Sequence, residues 1–246
     1  MSASKISTYL KCPKQFEFKY IRKVHCPSNA VLYQGKIFHS AIEHNYTQKI
    51  KTKKDLPLSD VTDAFSTFYR KELKNEEVKF ESKTEKAKTK DQGILATEVH
   101  NLAISPMVQP VAVEETIYSE IDGTKVMGII DLIDNEGNIR DNKLAGKKKS
   151  QSDLDKDLQM SMYSRLYRNT RGKKEKGLQL DITLKNRHET QILKTKRGPK
   201  QFNILSQVIE GVNSGIKSGS FPPNPNGWHC SEKYCNFWSI CVGRKR

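Results

Sequence analysis

The thiols of this 246-residue chain cluster at its two ends: Cys12 lies within Cys12-Pro13-Lys14-Gln15-Phe16, and Cys230, Cys235 and Cys241 lie in the tail. If one ligand takes all four, the fold must bring the first helix against the tail, which excludes architectures that hold the termini apart. Five cysteines are an odd count for a complete disulfide framework. The opening Met1-Ser2-Ala3-Ser4-Lys5-Ile6 lacks the apolar core of a secretory signal. The thiols are therefore expected in a reducing, cytoplasmic compartment, where clustered cysteines bind metal more often than they pair. Four thiolates suit tetrahedral zinc or an iron–sulfur cluster. Zinc sites usually come as two close pairs, whereas here one cysteine joins a distant trio. Cys26 is left over as a free thiol, and His229 beside Cys230 is a substitute ligand.

Charge narrows the partner. Lys and Arg outnumber Asp and Glu by 43 to 28, a net charge of +15 spread along the chain, as a polyanion-binding surface requires. No apolar run approaches the roughly 20 residues of a membrane span, and the length suits one large domain or two small ones, ample for a buried core.

Hydrophobic spacing predicts helices over 4–20, broken near Pro13, and over 33–50, where His39 and Glu43 share one face. A helix is expected around 61–73. The Lys- and Glu-rich run 74–90 reads as a solvated helix or mobile connection. Three β-branched segments, 111–121, 125–134 and 139–144, are separated by Asp122-Gly123 and by Asn135-Glu136-Gly137-Asn138 and form a meander. A helix over 153–168, capped by Ser152 or Asp153, precedes strands over 178–184 and 189–193 and a helix over 201–216. Phe221-Pro222-Pro223-Asn224-Pro225-Asn226-Gly227 ends regular structure.

The second hairpin carries the chemistry. Asp131 stands in the apolar strand Gly128-Ile129-Ile130-Asp131-Leu132-Ile133, and a buried carboxylate is unfavourable unless paired or cation-bound. With Asn135-Glu136-Gly137 as a three-residue loop and Gly137 left-handed, Asp131 falls opposite Asp141 on the same face. Two carboxylates that close repel unless a divalent cation bridges them. Lys143, two residues on, points to the same side and can orient a water or stabilise charge on a phosphate oxygen. An Asp-x-Lys triplet alone is weak, and a salt-bridged Asp131 accounts for it equally. His39 offers an imidazole ligand, and Gln159 with Tyr163 forms a polar i, i+4 pair on an apolar helix. Lys147-Lys148-Lys149 and Arg171-Gly172-Lys173-Lys174 are solvated loops or phosphate contacts beside the site.

The order Gly35-x3-His39-x3-Glu43, Gly128-x2-Asp131, Asp141-x-Lys143, Gln159-x3-Tyr163 resembles the RecB-like branch of the PD-(D/E)XK nuclease superfamily. The terminal cysteines resemble its iron–sulfur subgroup, which includes the AddB nuclease domain and the CRISPR-associated exonucleases. The gaps of four and five residues within the trio, with Trp228 and Trp238, resemble phage-type members.

The resemblance implies an α/β, restriction-endonuclease-like core with a central mixed sheet flanked by helices. It implies one nuclease domain over 1–246, with a catalytic core at 105–195 and a cysteine-clasped subregion from 1–32 and 220–246. His39, Asp131 and Asp141 are then expected to hold Mg²⁺ or Mn²⁺, Lys143 to act on the attacking water, and Gln159 with Tyr163 to contact DNA or position Lys143. Cys12, Cys230, Cys235 and Cys241 are expected to ligate a [4Fe–4S] cluster, with zinc the alternative. Glu43 and Glu114 are left as supporting acids. The implied activity is metal-dependent DNA hydrolysis, as an exonuclease on ends or single strands, in recombination, repair or CRISPR-type processing. A helicase, a recombinase or a CRISPR adaptation protein is the partner such roles call for. The rival reading is a non-catalytic nucleic-acid-binding protein with a structural four-cysteine zinc site.

Overall fold

The fold is that of a computed structural model, described here over residues 1–242. Helix α1 (Ala3–Lys11) starts at Ser2, whose side chain accepts from the Lys5 N–H. It stops at Cys12, whose extended backbone precedes α2 (Pro13–Phe16), with proline at the first helical position, and a π-helical turn (Glu17–Ile21). The expected break thus falls on the cysteine. A two-residue parallel pair joins β1 (Ser28–Asn29) to β2 (Val78–Lys79). Around it lie α3 (Ala30–Thr52), capped by the Asn29 side chain, α4 (Leu58–Asn75) and α5 (Lys83–Ala103), capped by Ser82.

The run 74–90 is not one solvated segment. Helix α4 ends at Asn75, and α5 begins at Lys83 and continues well past residue 90. Its first turns are Lys-rich, but Ala96, Val99 and His100 are buried. Small and polar residues make this contact, so hydrophobic periodicity does not reveal it.

A single mixed sheet follows: β3 (Pro110–Ile121), β4 (Thr124–Asp134), β5 (Asn138–Ala145), β6 (Gly177–Leu184) and β7 (Thr190–Thr195), in spatial order β3-β4-β5-β6-β7. Only β5 and β6 run parallel. Their connection carries α6 (Gln151–Asp155) and α7 (Leu158–Arg171), and α8 (Pro199–Lys217) and α9 (Trp238–Cys241) complete the described residues. The expected helix over 153–168 is therefore two helices. Ser150 and Asp153 form a capping box on α6, and Asp157 restarts the chain as the cap of α7. An acidic cap that can take two orphan N–H groups interrupts the pattern that periodicity alone would carry through.

Helices cover both faces of the sheet. On one side Ile6, Ile130, Ile139, Met162, Leu166, Leu180 and Ile209 join α1, α7 and α8 to the strands. On the other, Ile37, Phe38, Phe65, Ala96 and Ile104 pack α3, α4 and α5 around Leu132. A buried ion pair, Arg140 Nε to Asp181 Oδ2 at 2.8 Å, ties β5 to β6. The 220–246 segment is described as far as Val242; residues 243–246 lie outside the described residues.

Candidate active site

The two turns of the meander set the site. Asp122 and Gly123 both have positive φ, the two-residue geometry that matches strand twist, and pair Ile121 with Thr124. That register carries Glu114 to the position opposite Asp131, between the pairs Val113–Leu132 and Glu115–Ile130. Glu114 itself has φ +48°, a strained conformation for a non-glycine residue. The second loop is Asn135-Glu136-Gly137 with Gly137 at φ +86°. It sets the expected register, Leu132 with Arg140 and Ile133 with Ile139. The ladder ends there. Asp131 accepts the Asn142 N–H through its side chain at 2.9 Å, so β4 and β5 part where the carboxylates stand.

Helix α3 crosses this opening and brings His39 Nδ1 to 3.5 Å from Asp131 Oδ2. Burial, then the Lys143 ammonium, pushes the His39 pKa down to about 4. The imidazole is therefore neutral near pH 7 and keeps a lone pair for a cation. Donor atoms of His39, Glu114 and Asp131 all lie within 4.8 Å of one another. Burial, then the charges of Asp131 and Glu43, lifts Glu114 to about 7, and burial raises Asp131 as well. Acids held above their ordinary range by burial and, at Glu114, by neighbouring carboxylates are what a bound divalent cation relieves.

Asp141 is almost fully enclosed, at 1% exposure. Its Oδ1 accepts from Lys143 Nζ at 2.8 Å and from Gln159 Nε2 at 2.9 Å. Burial, opposed by Lys143 and reinforced by Asp131, lifts its pKa to about 6. Burial alone would lower the Lys143 ammonium, but Asp141 and Asp131 outweigh it and hold it above its ordinary value. Gln159 also donates to the Tyr163 hydroxyl at 2.6 Å. Asp157 fixes the start of α7 by accepting the Gln159 and Met160 N–H groups, so the cap aims Gln159 at Asp141.

His39, Asp131, Asp141, Lys143, Gln159 and Tyr163 are thus brought together from α3, β4, β5 and α7. Glu114, left by the sequence as a supporting acid, stands in the tightest donor group. Its signal was the Asp122-Gly123 turn, whose two-residue register assigns Glu114 to Asp131. Glu43 lines the same cavity, with Asn142.

The thiols form a second centre. Cys12, Cys230, Cys235 and Cys241 line one cavity with Phe18, His229 and Phe237. Burial, then neighbouring cysteines, raises the Cys235 and Cys241 thiols. Cys26 lies outside that lining, its Sγ 3.6 Å from the Asn236 carbonyl.

The sequence matches the PD-(D/E)XK nuclease superfamily over residues 1–242. No curated protein matches it. Among solved structures, a candidate exonuclease from Eubacterium rectale superimposes with a TM-score of 0.61 at 12% identity, covering 100% of this chain and 89% of that one. The structure of SSO0001 covers 100% of this chain and 87% of that one at 13% identity, with a TM-score of 0.45. The first likeness is one of fold.

Proposed function

The chain belongs to the PD-(D/E)XK nuclease superfamily, and from that premise we propose that it is a Mg²⁺- or Mn²⁺-dependent deoxyribonuclease acting on DNA ends or single strands. The observation that carries the reading is the donor group of a neutral His39 with Glu114 and Asp131, beside a charged Lys143. One nitrogen and several carboxylate oxygens suit a hard divalent cation. His39, Asp131 and Asp141 would hold it, with Glu114 as a further oxygen donor. Such a cation, when bound, supplies Lewis-acid polarisation of the scissile phosphate and a lowered pKa for the attacking water.

The side chains do the rest. Lys143 keeps its proton between Asp141 and Asp131, so it acts as a hydrogen-bond donor to the incoming water or a phosphate oxygen and not as a base. Gln159 holds Asp141 by a hydrogen bond and is itself braced on Tyr163. The net charge of +15 favours a polyanionic substrate.

For the cysteine cavity the proposed occupant is a [4Fe–4S] cluster on Cys12, Cys230, Cys235 and Cys241. Four cysteines from both ends of the chain line that cavity. A role in recombination, repair or CRISPR-type processing beside a helicase or recombinase goes with this reading.

Cleavage of 5′- and 3′-labelled single- and double-stranded DNA with Mn²⁺, and its loss with EDTA, tests the activity. Lys143→Ala is expected to lower turnover at least a hundredfold while DNA binding persists. Turnover near the parent rate in that variant removes Lys143 from the mechanism. Absence of any cleavage by the parent leaves a nucleic-acid-binding protein instead.

A further inference from the structure

Trp228 is the most exposed large hydrophobic side chain among the described residues, at 77%, and Tyr234 beside it is 51% exposed. Neither ring is loose. The indole stands edge-to-face against Tyr234, with centroids 5.3 Å apart at 73°, and against the buried His229 at 5.8 Å and 87°. The backbone on either side is pinned: Cys230 N–H donates to the Gly227 carbonyl and Gly227 N–H to that of Asn224. The Asn224 side chain in turn donates to the Lys11 carbonyl at 3.0 Å. The loop is thereby stitched to the end of α1, which sets Lys11 Nζ 5.7 Å from the Trp228 ring centroid. Lys233 Nζ stands 5.5 Å from that of Tyr234.

Two fixed, exposed aromatic rings, each with an ammonium over one side of it, offer something to both halves of a nucleotide: an aromatic surface for the base and a cation for its phosphate. Duplex DNA keeps its base faces stacked internally, so only unpaired bases can use such a ledge. We infer that Trp228 and Tyr234, flanked by Lys11 and Lys233, form a stacking platform for unpaired bases of a nucleic acid strand, apart from the catalytic carboxylates. The inference rests on the nuclease reading for its substrate, but on none of that site's residues. Edge-to-face rings rule out one continuous stack, so Trp228 takes the base and Tyr234 buttresses it.

The test is equilibrium binding of a labelled 20-nucleotide oligothymidine and of a blunt duplex of the same length, by the full chain carrying Lys143→Ala to prevent hydrolysis. Trp228→Ala is expected to weaken oligothymidine binding roughly tenfold, while Trp228→Phe stays near the parent and duplex binding changes less than about twofold. Lys11→Ala is expected to lower the slope of log affinity against log salt by about 0.7. With Trp238→Phe leaving Trp228 as the sole indole, oligothymidine is expected to quench its emission. Unchanged affinity in Trp228→Ala, or unquenched emission, overturns the platform. So does a parent dimer that Trp228→Ala turns into a monomer, because the ring then packs on a second copy. If the chain with Lys143 intact never cleaves DNA, yet the Lys143→Ala chain binds oligothymidine through Trp228, the nuclease reading fails and the platform stands. If the chain with Lys143 intact cleaves and Trp228→Ala leaves oligothymidine binding unchanged, only the platform fails.

Discussion

Gly128 explains how the Tyr163 hydroxyl comes to brace Gln159, which in turn holds Asp141. A Cβ there would meet Leu166 Cδ1 at 2.7 Å and Tyr163 Cε1 at 3.3 Å, so the bare backbone lets α7 settle on β4 with Tyr163 and Gln159 facing Asp141. Gly128→Ala is expected to lower stability by about 1–3 kcal/mol through overpacking, and to reduce turnover as the Tyr163 ring shifts. Urea unfolding and steady-state cleavage of the same variant check both, and a stable, fully active variant breaks the link. Glu114 makes a related point. Its strained φ and raised pKa coincide in one residue, a cost of order 1 kcal/mol or more that surrounding packing must outweigh.

At the scale of elements, the break between α6 and α7 is what aims the site. Asp157→Ala removes the acceptor for two N–H groups at the start of α7 and is expected to lower stability by about 1 kcal/mol. Turnover is expected to fall further than a distant cap of equal energy would cause, with Ser150→Ala on α6 as the comparison. On the opposite face of the sheet, His100 joins α5 to α3 and β6 through the Tyr46 hydroxyl at 2.9 Å and Thr183 Oγ1 at 3.1 Å. Complete burial, with His39 and Arg140 nearby, pushes its pKa down to about 3. The unfolded chain takes up that proton near pH 6.5, before the folded one does. The stability held above that value is therefore lost progressively as pH falls from 6.5 towards 3. Urea unfolding across this window is expected to show a shallower pH slope in His100→Gln, by up to about 1.4 kcal/mol per pH unit.

For the whole molecule, closure of the two ends comes from the polypeptide before any cluster. Lys14 N–H donates to the Pro222 carbonyl, the Tyr9 hydroxyl to that of Ser220, and Phe16 and Phe18 stack on Phe221 and Phe237. A bound cluster would add its binding free energy to this frame. Cys235→Ala is expected to give colourless protein of lowered solubility and unfolding midpoint, whereas a stable, brown, active variant takes Cys235 out of the ligand set. The strand pattern, both hairpin turns and the order of His39, Asp131, Asp141 and Lys143 could be read from the chain, because alternation and turn chemistry are local properties. The burial of α5, the interruption at Asp157 and the membership of Glu114 in the donor group could not be read so directly. The first two depend on small residues and a cap meeting surfaces distant in sequence. The third needed register carried through one hairpin and a helix laid across its mouth. Sequence alone determined which residues could carry the chemistry and which ends had to meet; tertiary packing decided which carboxylates face the imidazole, because only folding sets α3 over the gap where β4 and β5 part.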